Sequence, residues 1–297
     1  MEFRYTDDEK LLQKTIRALA REKIGPLVPE LEKEGQFAYK ALNILKQAGL
    51  LSLHVPVEFG GTGGGVTADC LILEELARIY PSAAITLIPN TIVNPLIAQG
   101  NEKYRSQLRG KGKLLAICLT EPNAGSDAAS IKTRAERKGD VYAINGTKSY
   151  VTNGGVADLY CVVTVTDPKK GVRGGVTNLL VEPDTAGFSV SRVEEKMGLH
   201  GSQTAQLVFE DVEVPLENMV GEEGNGFRDL MSIFDGSRIG VGAAGVGIAQ
   251  GALDLAVQYT KERVQFGKPI AEFQGIQFML ADLAMQMESA RALTYKA

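Results

Sequence analysis

Two short stretches hold the residue types that could cradle a polar or anionic group. Cys118-Leu119-Thr120-Glu121-Pro122-Asn123-Ala124-Gly125-Ser126-Asp127 leaves an apolar run at 114–119 and becomes a loop of small, hydroxylated and turn-forming residues. Pro122 removes a ladder donor, and Asn123 and Gly125 accept backbone angles that other residues avoid. Such a loop leaves N–H groups free to point at an anion or a polar heterocycle. Downstream, Ser149-Tyr150-Val151-Thr152-Asn153-Gly154-Gly155 repeats the grammar with an aromatic, a β-branched pair, then Asn-Gly-Gly. The two read as one wall of a cofactor pocket, although composition alone serves equally for two ordinary strand-to-turn transitions.

The rest of the composition narrows the field. At 297 residues, 44% hydrophobic and 23% charged, the chain suits two or three domains with sizeable cores. A formal net charge of −4 argues against a general nucleic-acid or anionic-membrane surface. Cys70, Cys118 and Cys161 are far apart and form no Cys-x-x-Cys pair, so neither a disulfide framework nor a zinc site is expected. His54 and His200 are the only histidines, too few for most histidine metal sites. Met1-Glu2-Phe3-Arg4-Tyr5-Thr6-Asp7-Asp8 lacks the apolar core of a signal peptide, and no uninterrupted apolar run suggests a membrane span. The expectation is a cytoplasmic protein, with the mitochondrial matrix left open because a removed targeting peptide leaves no trace.

Three blocks must position the two stretches. Residues 1–113 read as all-helical: Thr6 and Glu9 form a capping box, Leu11, Leu12, Ile16 and Leu19 keep helical spacing, and further helices are expected through Leu42 and Leu45, over 67–80 and over 82–99. The run Gly60-Gly61-Thr62-Gly63-Gly64-Gly65 lacks a closing Lys-Ser/Thr pair, so it is a connector and not a phosphate loop. Residues 114–222 read as a central β-domain with strands at 159–165, 178–181, 188–190 and 205–209, and with Asn145-Gly146 as a hairpin turn. No helix alternates with these strands, so an antiparallel barrel or sandwich is expected. Residues 223–297 turn helical again. Gly240-Val241-Gly242-Ala243-Ala244-Gly245 spells a dinucleotide fingerprint, but no buried strand precedes it, and small residues for close helix packing explain it better. The last helix carries an apolar stripe of Ile276, Leu280, Leu283 and Met287, its methionines read as core filler. Two long helices make an incomplete bundle, so the fold class is α+β with an unfinished C-terminal helical unit.

In this order the motifs resemble the flavin-dependent acyl-CoA dehydrogenases. They are Cys118 to Asp127, Tyr150-Val151-Thr152-Asn153-Gly154, Met197-Gly198-Leu199-His200-Gly201-Ser202, Phe209-Glu210-Asp211-Val212-Glu213-Val214-Pro215 and Arg263-Val264-Gln265-Phe266-Gly267. The resemblance implies a helical, a β and a four-helix domain, FAD between the last two, α,β-dehydrogenation of an acyl-CoA in fatty acid metabolism, electron-transferring flavoprotein as acceptor, and a homotetramer. Carried over by position, Ile117, Cys118, Leu119, Thr120, Gly125 and Ser126 would line the flavin, with Ser126 also reaching the pantetheine. Tyr150 takes the place where many relatives have Trp, and Val151 and Thr152 would face the hydride-accepting nitrogen. Arg263, Gln265, Phe266, Phe273 and Gln274 would contact FAD in a neighbouring subunit, while Asp235 and Arg238 match positions that touch CoA.

The catalytic base is not assigned. Some branches of the family carry a glutamate where this chain has Ser237, and the commoner branch supplies it from a later segment, past Ala297. The expectation is therefore a chain lacking that segment. The alternatives are a non-catalytic or partner-completed flavoprotein subunit, or a flavin oxidase or monooxygenase on the same scaffold. The helix at 82–99 would line the acyl pocket; it carries no Arg or Lys to pair a distal carboxylate, and its Asn90 and Asn94 could be buried, paired core polars.

Overall fold

Thr6 opens the first helix as its spacing predicts. Its Oγ1 accepts the Glu9 N–H at 3.2 Å while the Glu9 carboxylate accepts the Thr6 N–H at 2.8 Å. In the computed structural model, residues 5–61, 63–100, 102–108 and 112–297 are described; Met1 to Arg4 and Thr62 of the glycine run lie outside them. The helical layer consists of α1 (Asp7–Leu19), α2 (Val28–Glu34), α3 (Tyr39–Gln47), α4 (Val66–Ile79), α5 (Pro81–Ala98) and the single turn α6 (Glu102–Arg105). Ile16, Leu45, Leu51, Leu73, Leu76 and Leu87 interlock into one core, which apolar burial stabilises.

The middle of the chain forms one sheet from β1 (Leu115–Cys118), β2 (Arg134–Lys138), β3 (Val141–Thr152), β4 (Leu159–Val165), β5 (Val176–Val181), β6 (Phe188–Val193), β7 (Thr204–Pro215) and β8 (Met219–Val220). The order is β6-β7-β3-β2-β4-β5-β8, with β1 added beside β4. Most pairings are antiparallel, but β1 runs parallel to β4, and so does the single β2–β4 pair. That departs from the all-antiparallel expectation. The β2–β3 hairpin lies within the connection from β1 to β4 and makes it long enough for a parallel return without a helix. One face of β4 and β5 packs against β1, β3 and β7 through Tyr160, Val162, Leu179, Ile144 and Leu207. The other face packs on α5 through Leu159, Cys161, Leu180, Val93 and Leu96. Both strands are buried almost throughout, which explains their unbroken apolar runs.

Asn145-Gly146 is not a hairpin turn. β3 continues through both residues, and its register against β7 slips between Ile144 and Gly146. The Asn145 amide instead pairs with Asp211 of β7, donating to its carboxylate at 3.0 Å and accepting its N–H at 2.9 Å. Gly146 is required by proximity, since a side-chain carbon there would lie 2.5 Å from Thr133 Oγ1.

Two long helices follow, α7 (Gly226–Glu262) and α8 (Gln274–Lys296), joined through a short hairpin of β9 (Val264–Gln265) and β10 (Lys268–Pro269). Phe266 and Gly267 turn that hairpin with φ of 52° and 78°. The fingerprint lies inside α7, and of its glycines Gly240 packs on α4, where a side-chain carbon would lie 3.0 Å from Leu73; the closest approach is made further along, at Gly247 and Gly251, where it would lie 2.2 Å from the Glu74 and Arg78 carbonyl oxygens. Gly242 and Gly245, the other two fingerprint glycines, face away from α4. α7 is long and apolar enough to cross a membrane by length and composition, yet it lies along α4, α5 and α8. Of the α8 methionines only Met287 is buried, while Met279 and Met285 are exposed, as is Leu283. Their reading as core filler is corrected, because within this chain α8 is covered on one side only.

The contact between α7 and α4 predicts two substitutions of opposite sign. Gly247→Ala drives a methyl into an α4 carbonyl and is expected to destabilise the chain by about 1–3 kcal/mol. Gly245→Ala meets nothing within 4 Å and should stabilise α7 by about 0.5–1 kcal/mol. Urea unfolding midpoints of the two variants check the signs.

Candidate functional site

β1 ends at Cys118, and the loop that follows is fastened from below. Lys148 on β3 is wholly buried, and its Nζ donates to the Leu119 carbonyl at 3.0 Å and to the Glu121 carboxylate at 2.8 Å. That carboxylate also accepts the N–H groups of Lys132 at 2.7 Å and Thr133 at 2.9 Å. Glu121 and Ala124 exchange backbone bonds of 3.0 and 3.1 Å around Pro122-Asn123, closing a tight turn. Burial pushes the Glu121 carboxyl up, but the Lys148 ammonium and the Thr133 N–H pull harder and hold it below the usual glutamate range. Burial also draws the Lys148 ammonium down, with Glu121 opposing.

The second wall comes from the end of β3. Its ladder to β7 slips again between Lys148 and Val151, so Ser149 and Tyr150 bulge out of that pairing. The Ser149 N–H is used by the Thr120 carbonyl at 2.8 Å. Tyr150 takes φ of 54° and is 66% exposed. Asn153, at φ of 65°, is fully buried and donates from Nδ2 to the carbonyls of Thr86 on α5 and Leu115 on β1, both at 2.9 Å. Asn90 and Asn94 of α5 are likewise paired inward. Asn90 donates to Leu51 and Lys113 carbonyls and accepts the Leu115 N–H, while Asn94 donates to Leu51 and Leu53.

Between these walls lies a cleft of about 280 Å³. Ile117, Leu119 and Thr120 form one side, Ser149, Tyr150 and Thr152 the next, Ile85, Ile88, Pro89 and Ile92 of α5 the third, and Phe234 of α7 the last. A groove of about 400 Å³ adjoins it through Leu119 and Phe234, lined by Gly125, Ser126, Asp127, Phe227, Met231 and Arg238. Arg238 pairs with Asp235 at 3.3 Å and lies over the Phe234 ring at 5.7 Å. Ser237 donates to the Phe234 carbonyl at 3.3 Å. Asp127, in the outer groove, is the one carboxylate lining either space among the described residues.

Of the expected site residues, Ile117, Leu119, Thr120, Tyr150 and Thr152 meet in the cleft, and Gly125, Ser126 and Arg238 meet in the groove. Cys118 and Val151 instead put their side chains into the sheet core. Arg263, Gln265 and Phe266 stand apart on the exposed β9–β10 hairpin, with Phe273 and Gln274 at its foot. There Phe266, 94% exposed, meets Phe273 edge-on at 6.1 Å, and Lys268 lies 4.5 Å over the Phe273 ring. Lys148 escaped the sequence reading, and Glu121 was read only as a member of its motif. The available signal was a lysine at an inward strand position beside an acidic loop. Among the described residues no cluster could hold a metal ion.

The cleft has an apolar floor of isoleucines and one edge of hydroxyls from Thr120, Ser149 and Thr152. A planar heterocycle with one polar edge fits that distribution, and the groove with Arg238 and Ser126 at its side fits an elongated polar ligand ending in phosphates. Fold and cleft together describe a three-part α+β protein with an apolar cleft and an adjoining polar groove between its parts.

Family comparison agrees along the whole chain. Residues 6–109 match the acyl-CoA dehydrogenase N-terminal domain, 116–212 the middle domain and 224–297 the C-terminal domain. A probable acyl-CoA dehydrogenase of Mycobacterium leprae is 42% identical over 99% of this chain and 77% of that protein. Butyryl-CoA dehydrogenase of Megasphaera elsdenii superposes with a TM-score of 0.91 at 42% identity, over 100% of this chain and 80% of that one. A chain from the structure of the electron transferring flavoprotein of Acidaminococcus fermentans superposes at 0.94 with 40% identity, over 100% and 79%. The FAD complex of PigA superposes at 0.90 with 25% identity, over 100% and 79%. The chain belongs to the acyl-CoA dehydrogenase family.

The buried carboxylate predicts an acid limit. A glutamate whose folded pKa is depressed contributes stability that is present above its unfolded pKa and lost as pH falls through the folded one. Stability is therefore expected to drop below about pH 4. Glu121→Gln strands the Lys148 ammonium and should cost about 3–5 kcal/mol at neutral pH while flattening the acid-side slope. Urea midpoints of both proteins from pH 3 to 8 test this.

Proposed function

We infer that this chain acts as an FAD-dependent acyl-CoA dehydrogenase, placing a double bond between the α and β carbons of an acyl-CoA thioester. The observation that carries the reading is the pairing of cleft and groove. An apolar cleft carrying the hydroxyl residues Thr120, Ser149 and Thr152 shares Leu119 and Phe234 with a groove lined by Ser126 and Arg238. When bound, FAD supplies the acceptor for the hydride that leaves the β carbon, as the α hydrogen leaves as a proton. Thr120, Ser149 and Thr152 would hold the polar edge of the ring with donors already in place, so that no reorganisation is needed as charge develops. The α5 isoleucines and Phe234 exclude water from the reacting carbons. Ser126 receives the pantetheine arm, and Arg238, with Asp235 beside it, meets the CoA end. No carboxylate of the inner cleft is available as the α-proton base among the described residues.

The acyl wall presents no cation. α5 contains no charged residue, and the amides of Asn90 and Asn94 are spent on backbone carbonyls. A distal carboxylate would be desolvated without a partner there. Protein carrying the complete catalytic apparatus should therefore bleach its flavin under anaerobic conditions with butyryl-CoA and at least about tenfold less efficiently with a dicarboxyl-CoA of similar length. Equal efficiency would count against this wall.

A second copy of the chain is the proposed neighbour of the β9–β10 hairpin, in a homotetramer that passes electrons to an electron-transferring flavoprotein. Arg263, Gln265 and the exposed Phe266 would reach the ADP half of FAD bound by that copy, with Phe273 and Gln274 supporting them. Arg263→Ala is expected to lower both flavin retention after gel filtration and the assembled mass, whereas Lys261→Ala, two residues earlier in the last turn of α7, should change neither. Light scattering with flavin absorbance reads both.

A further inference from the structure

We propose that the buried Lys148–Glu121 pair is a positioning device that sets the distance and angle between the two walls of the cleft; this rests on the flavin reading above. Neither side chain lines the cleft. Lys148 reaches from β3 beneath the loop and ties down the residues on either side of Thr120, through the Leu119 carbonyl at 3.0 Å and the Glu121 carboxylate at 2.8 Å. Glu121 is itself clamped by the N–H groups of Lys132 and Thr133 at 2.7 and 2.9 Å. Thr120 therefore sits between two fixed points, and its own carbonyl holds the Ser149 N–H at 2.8 Å. Ser149, Tyr150 and Thr152 follow directly on the strand that carries the lysine and form the opposing wall.

One ammonium thus couples both walls. Its removal would also leave the Leu119 carbonyl without this donor at the point where the strand gives way to loop. A buried ion pair is weak evidence for stability, since packed apolar or neutral groups of like volume often do as well. What this pair adds is placement, and small displacements of aligned donors are costly at a binding site.

The test uses the full chain, stripped of flavin and titrated with FAD. Lys148→Met/Glu121→Gln removes both charges at nearly constant volume, and Glu121→Asp keeps both while withdrawing the carboxylate by one methylene. Each is measured for FAD Kd by flavin fluorescence, for visible circular dichroism of the bound flavin, and for urea midpoint. The expected result is an FAD Kd raised about tenfold or more and an altered flavin dichroism band in variants that are folded. A purely structural pair would move the urea midpoint alone. Folded variants whose Kd lies within about twofold of the parent, with an unchanged flavin band, overturn the inference. If the double variant does not fold, Glu121→Asp decides by the same two readouts. A parent chain that takes up no FAD overturns the functional reading, and this inference with it.

Discussion

Two buried asparagine amides, Asn153 and Asn90, join the helical layer to the sheet, a third, Asn94, braces the helical side, and the rest of the molecule is arranged around that seam. Asn153 reaches from the end of β3 to carbonyls on α5 and β1, and Asn90 and Asn94 reach from α5 to the chain at Leu51, Leu53 and Lys113. Each supplies a planar donor pair inside a dry interface, where an unpaired carbonyl would be expensive. They hold α5 at a set height over β1. The space left against its isoleucines, between β1, β3 and α7, is the cleft.

Buried charge on the helical side is paired in a similar way. Glu74 and Glu75 are buried on α4, and each meets an arginine from another helix: Arg291 of α8 at 2.9 Å, Arg17 of α1 at 2.6 Å. Tyr295 donates to Glu74 as well, at 2.8 Å. These contacts fix α1 and α8 against α4, as Lys148 and Glu121 fix the loop against β3. In both places the charges stay out of the lining of the inner cleft, which is left to hydroxyl and apolar side chains.

Periodicity made the helices legible, and α4, α5 and β4 lie within a residue or two of their expected bounds. What local pattern could not show was pairing at a distance. Asn-Gly at 145–146 has hairpin chemistry, yet a hairpin also needs the flanking runs to face each other; here β7 supplies the partner, and Asp211 occupies the asparagine amide. The parallel β1–β4 pair is equally invisible to a count of strands and turns. The motif loops identified the cleft, but alternation along the strands decides which members enter it. Cys118 and Val151 fall on the inward phase and are lost to the core, whereas their chain neighbours Ile117, Leu119 and Thr152 fall on the open one. Exposure of Met279, Leu283 and Met285 shows the same limit: an apolar stripe says that a surface is apolar, and leaves unstated what covers it.

The glycines of α7 bring its backbone onto that of α4, with no layer of side chains between them at Gly247 and Gly251. Such a contact has nothing soft to compress. Phe234 and Arg238 stand on the same rod, closer to its start, so the roof of the slot is registered to the helical layer like a fixed jaw. A bulkier guest meets little give on the α5 side either, where Ile85, Ile88, Pro89 and Ile92 are β-branched or cyclic and hold few rotamers.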